Sequence, residues 1–336
     1  MSQTVEIAPT PTISAIICAY TLDRLSDVVE AVESMECQQP PPSQIIVVVD
    51  HNRSLMTALR SRISDRSILI ENSFERGLSG ARNSGIARAT GRLVFFLDDD
   101  AVADSDCLRV LSGRCMERGV IGAGATIAPL FNVPCPSWFP PEFLWVVGCT
   151  YLGLKPGPVR NLLGAAMCIR RDALDKAGGF NSRLGRTNGK LPFGCEETEF
   201  CIRAARELGK ATFVFEPGAR VVHKVPASRL SWRYFFMRCY AEGLSKARLS
   251  SVVGSERSLA NERSYVVRIL TRSFTRNFGD LLVRRDFSGA GRVASVCLGL
   301  ACAAGGFLFG FLSLALTKTL NRRGIWGGWR ETFHVR

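Results

Sequence analysis

Short apolar runs alternate with helically spaced apolar positions through the first hundred residues. ISAIICAY (13–20) is a β-branched apolar run between Pro11 and the polar stretch TLDR. Such a run predicts a strand buried on both faces. Leu25, Val28, Val29, Val32 and Met35 then recur on one side of a helix, which predicts a helix over 25–35. The alternation repeats with QIIVVVD (44–50) as a strand, 54–63 as a helix and SILIEN (67–72) as a third strand. GLSGARNSGIARATG (77–91) begins glycine-rich and becomes a helix, and RLVFFL (92–97) is a fourth strand. Strand and helix in alternation predict an α/β fold with a doubly wound, mostly parallel sheet. Residues 129–160 are rich in Pro, Gly and Trp and read as a long loop region facing a substrate. The segment 161–174 resumes a strand and then a helix, 194–209 reads as a loop entering a helix, and 211–225 reads as two short strands.

The carboxyl third changes character. Residues 228–249 mix aromatics with Arg and Lys, a pattern that suits an amphipathic helix on a membrane face and equally a helix packed on the core. Residues 293–316 carry no charge. At 1.5 Å rise per residue they span roughly 36 Å, against a hydrocarbon core of about 30 Å. This predicts a transmembrane or membrane-inserted helix. Its glycines (Gly299, Gly305, Gly306, Gly310) suit close helix packing or a bent insertion that does not cross. Arg284, Arg285 and Arg292 precede it and Lys318, Arg322 and Arg323 follow, so the positive-inside rule leaves its topology open. The expected organisation is a flexible arm (1–12), an α/β domain (13–225), a membrane-proximal helical region (226–292), the apolar helix (293–316) and a basic tail (317–336).

Composition narrows the partners. The 336 residues carry a net charge of +13, which suits phosphate-bearing substrates, an anionic membrane leaflet or nucleic acid. The charge is scattered and no nucleic-acid module is present, which argues against the last. The twelve cysteines form no C-x-x-C pair and mostly sit in apolar runs, as reduced buried thiols do. Three histidines are too few to build a clustered zinc site with them. The first residues lack the basic and apolar regions of a signal peptide.

Ligands of such sheets bind beyond the carboxyl ends of the strands. Tyr20, Asp50 and the triplet Asp98, Asp99, Asp100 all fall there. Three adjacent carboxylates repel one another, yet FFL before and AV after hold them near the core. A divalent cation, Mg²⁺ or Mn²⁺, bridging them to substrate phosphates would account for the cluster. Asp50 is either a turn or cap residue or an acceptor for a base or ribose. Arg82 is either a surface residue or a guanidinium suited to a diphosphate. Glu196, Glu197 and Glu199 open a helix, where its dipole favours negative charge. Glu196 and Glu197 stand in a glycine-initiated loop, where a carboxylate can act as a general base. His223 is either structural or the completion of the metal's ligand set.

From Ile13 to about His223 these segments, in this order, resemble the inverting family 2 glycosyltransferases of the GT-A fold. They are SAIICAY, VVVD, GLSGARNSGIARATG, FFLDDD, NLLGAAMCIRRDALDKAGGF and GCEETEFCIR. HKVPASRLSWRYFFMRCYAEGLSKA is similar to a narrower group, the glucosyl-dolichyl-phosphate glucuronosyltransferase-like enzymes. The resemblance implies that Asp50 and Arg82 contact the uridine end of a nucleotide-sugar donor, with Asp99 helping to hold the nucleotide. It implies that Asp98 and Asp100 are the D-x-D acids on the metal, with His223 beside them. Glu197 falls at the place of the base, with Glu196 where the family's Glu-Asp pair begins. A UDP-sugar donor, UDP-glucuronate or UDP-glucose, inversion without a covalent intermediate, a lipid-linked or glycan acceptor, and a cell-membrane location with the catalytic domain on the cytoplasmic side are what the same resemblance implies. One apolar span, rather than a multi-helix channel, implies single addition. Two rival readings remain. Asp98, Asp100 and Val102 fit the nucleophile motif of haloacid-dehalogenase-like phosphatases, though three strand-like runs precede them. A non-enzymatic basic binder would owe its role to net charge alone.

Overall fold

The computed structural model describes residues 11–185, 192–209, 211–254 and 288–322, with isolated helical positions between 266 and 277. The strands are β1 (Ile13–Ala19), β2 (Gln44–Val49), β3 (Ser67–Glu71), β4 (Leu93–Asp98), β5 (Ala101–Ala103), β6 (Val120–Phe131), β7 (Gly157–Val159), β8 (Ala166–Arg170) and β9 (Thr212–Val225). The α-helices are α1 (Leu25–Glu36), α2 (Arg53–Arg60), α3 (Leu78–Arg88), α4 (Cys107–Cys115), α5 (Arg171–Ala177), α6 (Glu196–Glu207), α7 (Trp232–Val253) and α8 (Ser288–Arg322). The first three predicted strands and the first helix fall within a residue or two of their expected places.

One mixed sheet runs in the order β3-β2-β1-β4-β8-β6-β9-β5, with β7 paired to β9. The strands β3, β2, β1 and β4 are parallel. β8 runs antiparallel between β4 and β6. It starts beside the carboxyl end of β4, with Ala166 opposite Leu97, because the excursion after β6 brings the chain back to that edge.

Burial on both faces explains the legible strands. Ile13, Ala15, Ile17 and Ala19 pack with α1, α2 and α4, while Ile16 points to α3, α5 and α6 on the other face. Leu93, Phe95 and Leu97 of β4 take the first side and Val94 and Phe96 the second.

Two expected features differ. Residues 211–225 form one strand rather than two, with a register shift where Glu216 pairs Ala125 and Arg220 pairs Thr126. Pro217 and Gly218 lie in that shift, and Pro has no N–H to give a ladder. The span 129–160 is more ordered than expected. β6 extends into it, a 3₁₀ segment covers Pro141–Val147, and Phe139, Phe143, Val146, Val147 and Cys149 are buried.

The two-way reading of 228–249 resolves toward packing. α7 buries Phe235 and Cys239 in the main core, and the Trp138 and Trp232 rings stack with centroids 3.8 Å apart. The apolar helix extends beyond its expected ends, and α7 packs along it. Residues 1–10 of the expected arm and 323–336 of the expected tail lie outside the described residues, as does much of 255–287.

Gly243 and Gly306 allow backbone-to-backbone approach of α7 and α8. A Cβ on Gly243 would meet the Ala303 carbonyl and sit 2.6 Å from the Phe307 nitrogen, and one on Gly306 would meet the Tyr240 carbonyl. Gly243→Leu is therefore expected to destabilise the protein by about 1–3 kcal/mol through overpacking. A thermal unfolding midpoint in detergent equal to that of the parent protein would contradict this packing.

Candidate active site at the carboxyl ends of the strands

β4 ends at Asp98, and Asp99 and Asp100 make the turn into β5. Asp98 is partly open to the cleft, whereas Asp99 and Asp100 are buried. The turn is fixed from behind by β9, because Ala101 pairs with His223 and the Lys224 N–H donates to the Asp100 carbonyl at 2.8 Å. This pairing also delivers His223 to the acids. Its Nε2 lies 3.1 Å from Asp100 Oδ1, and its Nδ1 faces the Cys149 thiol at 3.7 Å. Burial pushes that thiol up to about 12, so it stays protonated.

Asp98, Asp100 and His223 each offer a ligand atom, and these atoms lie within 4.8 Å of one another. Two carboxylate oxygens and an imidazole nitrogen form a donor set that suits Mn²⁺ and accommodates Mg²⁺. The residues present therefore fit a hard divalent cation.

Arginines surround the triplet. Arg24 reaches Asp99 Oδ1 at 2.5 Å and Asp100 Oδ2 at 3.0 Å, and Arg229 lies 3.6 Å from Asp100 Oδ2. Burial raises both buried acids, but the outcomes diverge. Burial carries Asp99 up to about 7, with Arg24 opposing and Asp100 and Asp98 adding to the rise. For Asp100 burial is outweighed by the His223 hydrogen bond and charge, then by Arg24 and Arg229, which hold it well below the usual carboxylate range. Asp99 Oδ2 is buried with no partner among the described residues.

Arg82 joins this cluster to the second acidic group. α3 carries it inward, 2% exposed. Its guanidinium reaches Asp98 at 3.7 Å, Glu196 at 3.4 Å and Glu197 at 3.2 Å. It donates to the Gly164 carbonyl at 3.1 Å and lies 5.2 Å from the Phe180 ring centroid. Of its two sequence readings, a surface residue or a guanidinium for a diphosphate, burial excludes the first, and its guanidinium faces the carboxylates. Gly164 is required for this approach, since a Cβ there would meet Glu197 Oε1 and lie 2.8 Å from Arg82 Nη2.

Glu196 and Glu197 open α6 after Cys195, which adopts a left-handed backbone at φ 74°. Their environments differ. The Glu197 side chain is 17% exposed and that of Glu196 2%. Burial first, and the Glu197 charge next, push Glu196 up to about 8 against the pull of Arg82. Its Oε2 has no partner among the described residues. Glu199, the third acid of the run, pairs with Arg203 at 2.8 Å on the same helix and is a structural residue. α7 holds the loop from outside: the Gly194 N–H donates to Ser245 Oγ at 3.1 Å, and the Cys195 thiol points at Glu242 Oε1 at 3.7 Å.

Asp50 and Tyr20 lie at the same sheet edge. Asp50 Oδ1 accepts from Asn72 Nδ2 at 2.7 Å and Oδ2 from the Gly77 N–H at 2.9 Å, so the carboxylate ties down the loop entering α3. Tyr20 is exposed, with the Arg24 guanidinium 5.5 Å from its ring centroid.

Sequence reasoning missed Arg24, Arg229, Gly164 and Cys149. Arg24 carried a usable signal, since it follows β1 within the polar TLDR stretch at the same sheet edge as the triplet. Arg229, Gly164 and Cys149 are brought in by tertiary pairing and carried none.

Residues 14–176 match the family model described as glycosyl transferase family 2. The sequence is 26% identical to the glucosyl-dolichyl phosphate glucuronosyltransferase of Haloferax volcanii, over 92% of this chain and 99% of that protein. It is 26% identical to the succinoglycan biosynthesis protein ExoM of Rhizobium meliloti, over 69% of this chain and 73% of the relative. Among solved structures, the mannosyltransferase PcManGT from Pyrobaculum calidifontis, in complex with GDP-Man and Mn²⁺, aligns at a TM-score of 0.57 and 14% identity, covering 90% of this chain and 88% of that one. GalNAc-T7 with UDP, GalNAc and Mn²⁺ aligns at 0.50 and 15% identity, covering 75% and 51%. These structures share the GT-A fold with this chain. The phosphatase reading loses its footing, because Asp98 ends the fourth strand rather than the first.

Two outcomes follow from the charges. Arg82→Met leaves buried carboxylates unpaired and is expected to cost roughly 3–5 kcal/mol, read as a lower urea midpoint. Glu196 sits above its ordinary value of 4.5, at about 8. The stability it contributes is full below the ordinary value and is lost as pH rises through the folded one. The urea midpoint of the parent protein relative to Glu196→Gln should therefore fall between about pH 5 and 8.5. A pH-independent difference would mean that Glu196 is not held in its protonated form.

Proposed function

The chain carries a glycosyl transferase family 2 domain and is a glycosyltransferase, and on that premise we propose that it moves a sugar, with inversion, from a UDP-sugar to a hydroxyl of a lipid-linked acceptor. One observation carries this reading: Asp98 and Glu197 touch the same guanidinium, at 3.7 and 3.2 Å. The cation-binding acids and a solvent-accessible carboxylate therefore share one cleft, as a single displacement requires.

Asp98, Asp100 and His223 would hold Mn²⁺ or Mg²⁺. When bound, the cation supplies positive charge to offset the leaving nucleoside diphosphate. Tyr20, Asp50 and Asp99 face the nucleotide end of the donor. Arg82 works one step removed, fixing Glu196 and Glu197 in position.

Glu197 is the base. It is the more accessible of the pair, and Gly164 and Arg82 set its carboxylate. It takes the proton of the acceptor hydroxyl as that oxygen attacks the anomeric carbon. The bond to the diphosphate breaks on the opposite face, so the carbon inverts. Glu196, buried and raised, keeps its proton and spaces Arg82 from the loop. The donor sugar is glucuronate or glucose, by analogy with the Haloferax relative, whose name also supports a polyprenyl-phosphate-linked acceptor. The apolar α8 supports residence at the cell membrane, with the catalytic domain on the cytoplasmic side.

The test is a UDP-sugar screen that reads UDP release and labelled lipid. Asp100→Asn and EDTA should each abolish release. Glu197→Gln should keep donor binding and lower kcat by roughly 10²–10⁴-fold, the range of general-base catalysis. Glu196→Gln should retain most of kcat. Metal-independent transfer would overturn the cation's role, and full activity in Glu197→Gln would overturn the base.

A further inference from the structure

Among the described residues, nothing covers one face of α8 from Ala294 to Leu316. Ala294, Leu298, Ala301, Gly305, Leu308, Leu312 and Leu316 recur at three- and four-residue spacing and all are exposed. The stretch Ser288–Thr317 has a mean hydropathy of 2.0 in its most apolar window.

The opposite face is held by the protein over the same length. Ser295 Oγ donates to the Trp138 carbonyl at 2.8 Å. A Cβ on Gly299 would lie 2.7 Å from Phe143 and 3.1 Å from Phe235, and one on Gly310 would lie 2.9 Å from Ala247. Gly306 meets Tyr240 between these points. Residue numbers rise together on both helices, so α7 and α8 run parallel. On its other side α7 carries Glu242 and Ser245, which hold Gly194 and Cys195 beside the catalytic carboxylates. The order of layers is thus catalytic loop, α7, α8.

A membrane-crossing α8 would draw α7 into the hydrocarbon with it. Arg238, Glu242 and Lys246, which pair with one another, would enter too, along with the loop bearing the base. Charges at that depth are costly.

Resting on the reading that the protein resides at a membrane, we propose that α8 lies in the plane of the bilayer surface, its bare face embedded in lipid, and does not cross.

Lipid is the occupant the chemistry favours over a second copy. Residues 293–316 carry no charge, whereas protein interfaces have a polar rim. The hydroxyls toward the helix end satisfy themselves: Ser313 donates to the Phe309 carbonyl at 2.8 Å and Thr317 to that of Ser313 at 2.9 Å. Hydrocarbon demands such internal pairing. The net charge of +13 suits anionic headgroups.

The experiment uses the full chain with an epitope tag at each end. In sealed, inverted membrane vesicles, protease should remove both tags together without detergent. A carboxyl-terminal tag protected until detergent is added would overturn the in-plane placement while leaving membrane residence intact. Flotation with phosphatidylcholine vesicles, with and without phosphatidylglycerol, supplies the second readout. The parent protein should float, better with the anionic lipid. Leu308→Glu combined with Leu312→Glu should cut flotation at least about tenfold, since it places charge in the embedded face, while donor hydrolysis in solution persists. Failure of the parent protein to float would sink the membrane reading itself. If it fails to float and the double variant converts a dimer to a monomer, the bare face belongs to a second copy.

Discussion

A single buried guanidinium organises the cleft. Arg82 is fully enclosed, yet it faces Asp98 from β4 and both glutamates that open α6. Without it, three carboxylates would approach one another in a space with little water. Desolvation makes such a pair a poor source of stability, so its value lies in geometry. It ties the end of the parallel sheet to a loop that is more than ninety residues away in sequence, and thereby sets the distance between Asp98 and the two glutamates.

The charges around the triplet divide the work among chemically identical side chains. Asp100 is surrounded by His223, Arg24 and Arg229 and stays ionised, while Asp99, with only Arg24 against burial, sits near neutrality. The same division separates Glu196 from Glu197 through their exposure to the cleft. Position relative to the basic groups and to solvent, rather than residue type, sets the charge state of each acid.

Much of this was legible in the sequence. Strands buried on both faces leave apolar runs, and ISAIICA, QIIVVV and LVFFL could be read as such. Residues at their carboxyl ends could be placed near one another because parallel sheets bind ligands there. What could not be read depends on contacts between distant segments. The reversal of β8 follows from where the chain re-enters the sheet. The union of 212–225 into one strand depends on β6 carrying it across the Pro217–Gly218 interruption. Arg24 meets Asp99 across 75 residues, and no local pattern encodes that. Arg82 stood out at the sheet edge, but its carboxylate partners on β4 and α6 did not, because Glu196 and Glu197 lie more than a hundred residues further along the chain.

The grip of α7 on the loop before α6 bears on how this protein can be divided. Phe235 and Cys239 fill the main core, and Ser245 and Glu242 reach Gly194 and Cys195. The helix that packs along the apolar α8 is thus also the scaffolding of the loop that opens α6. A fragment trimmed after β9 would lose both the filler of its own interior and the brace behind Glu196 and Glu197.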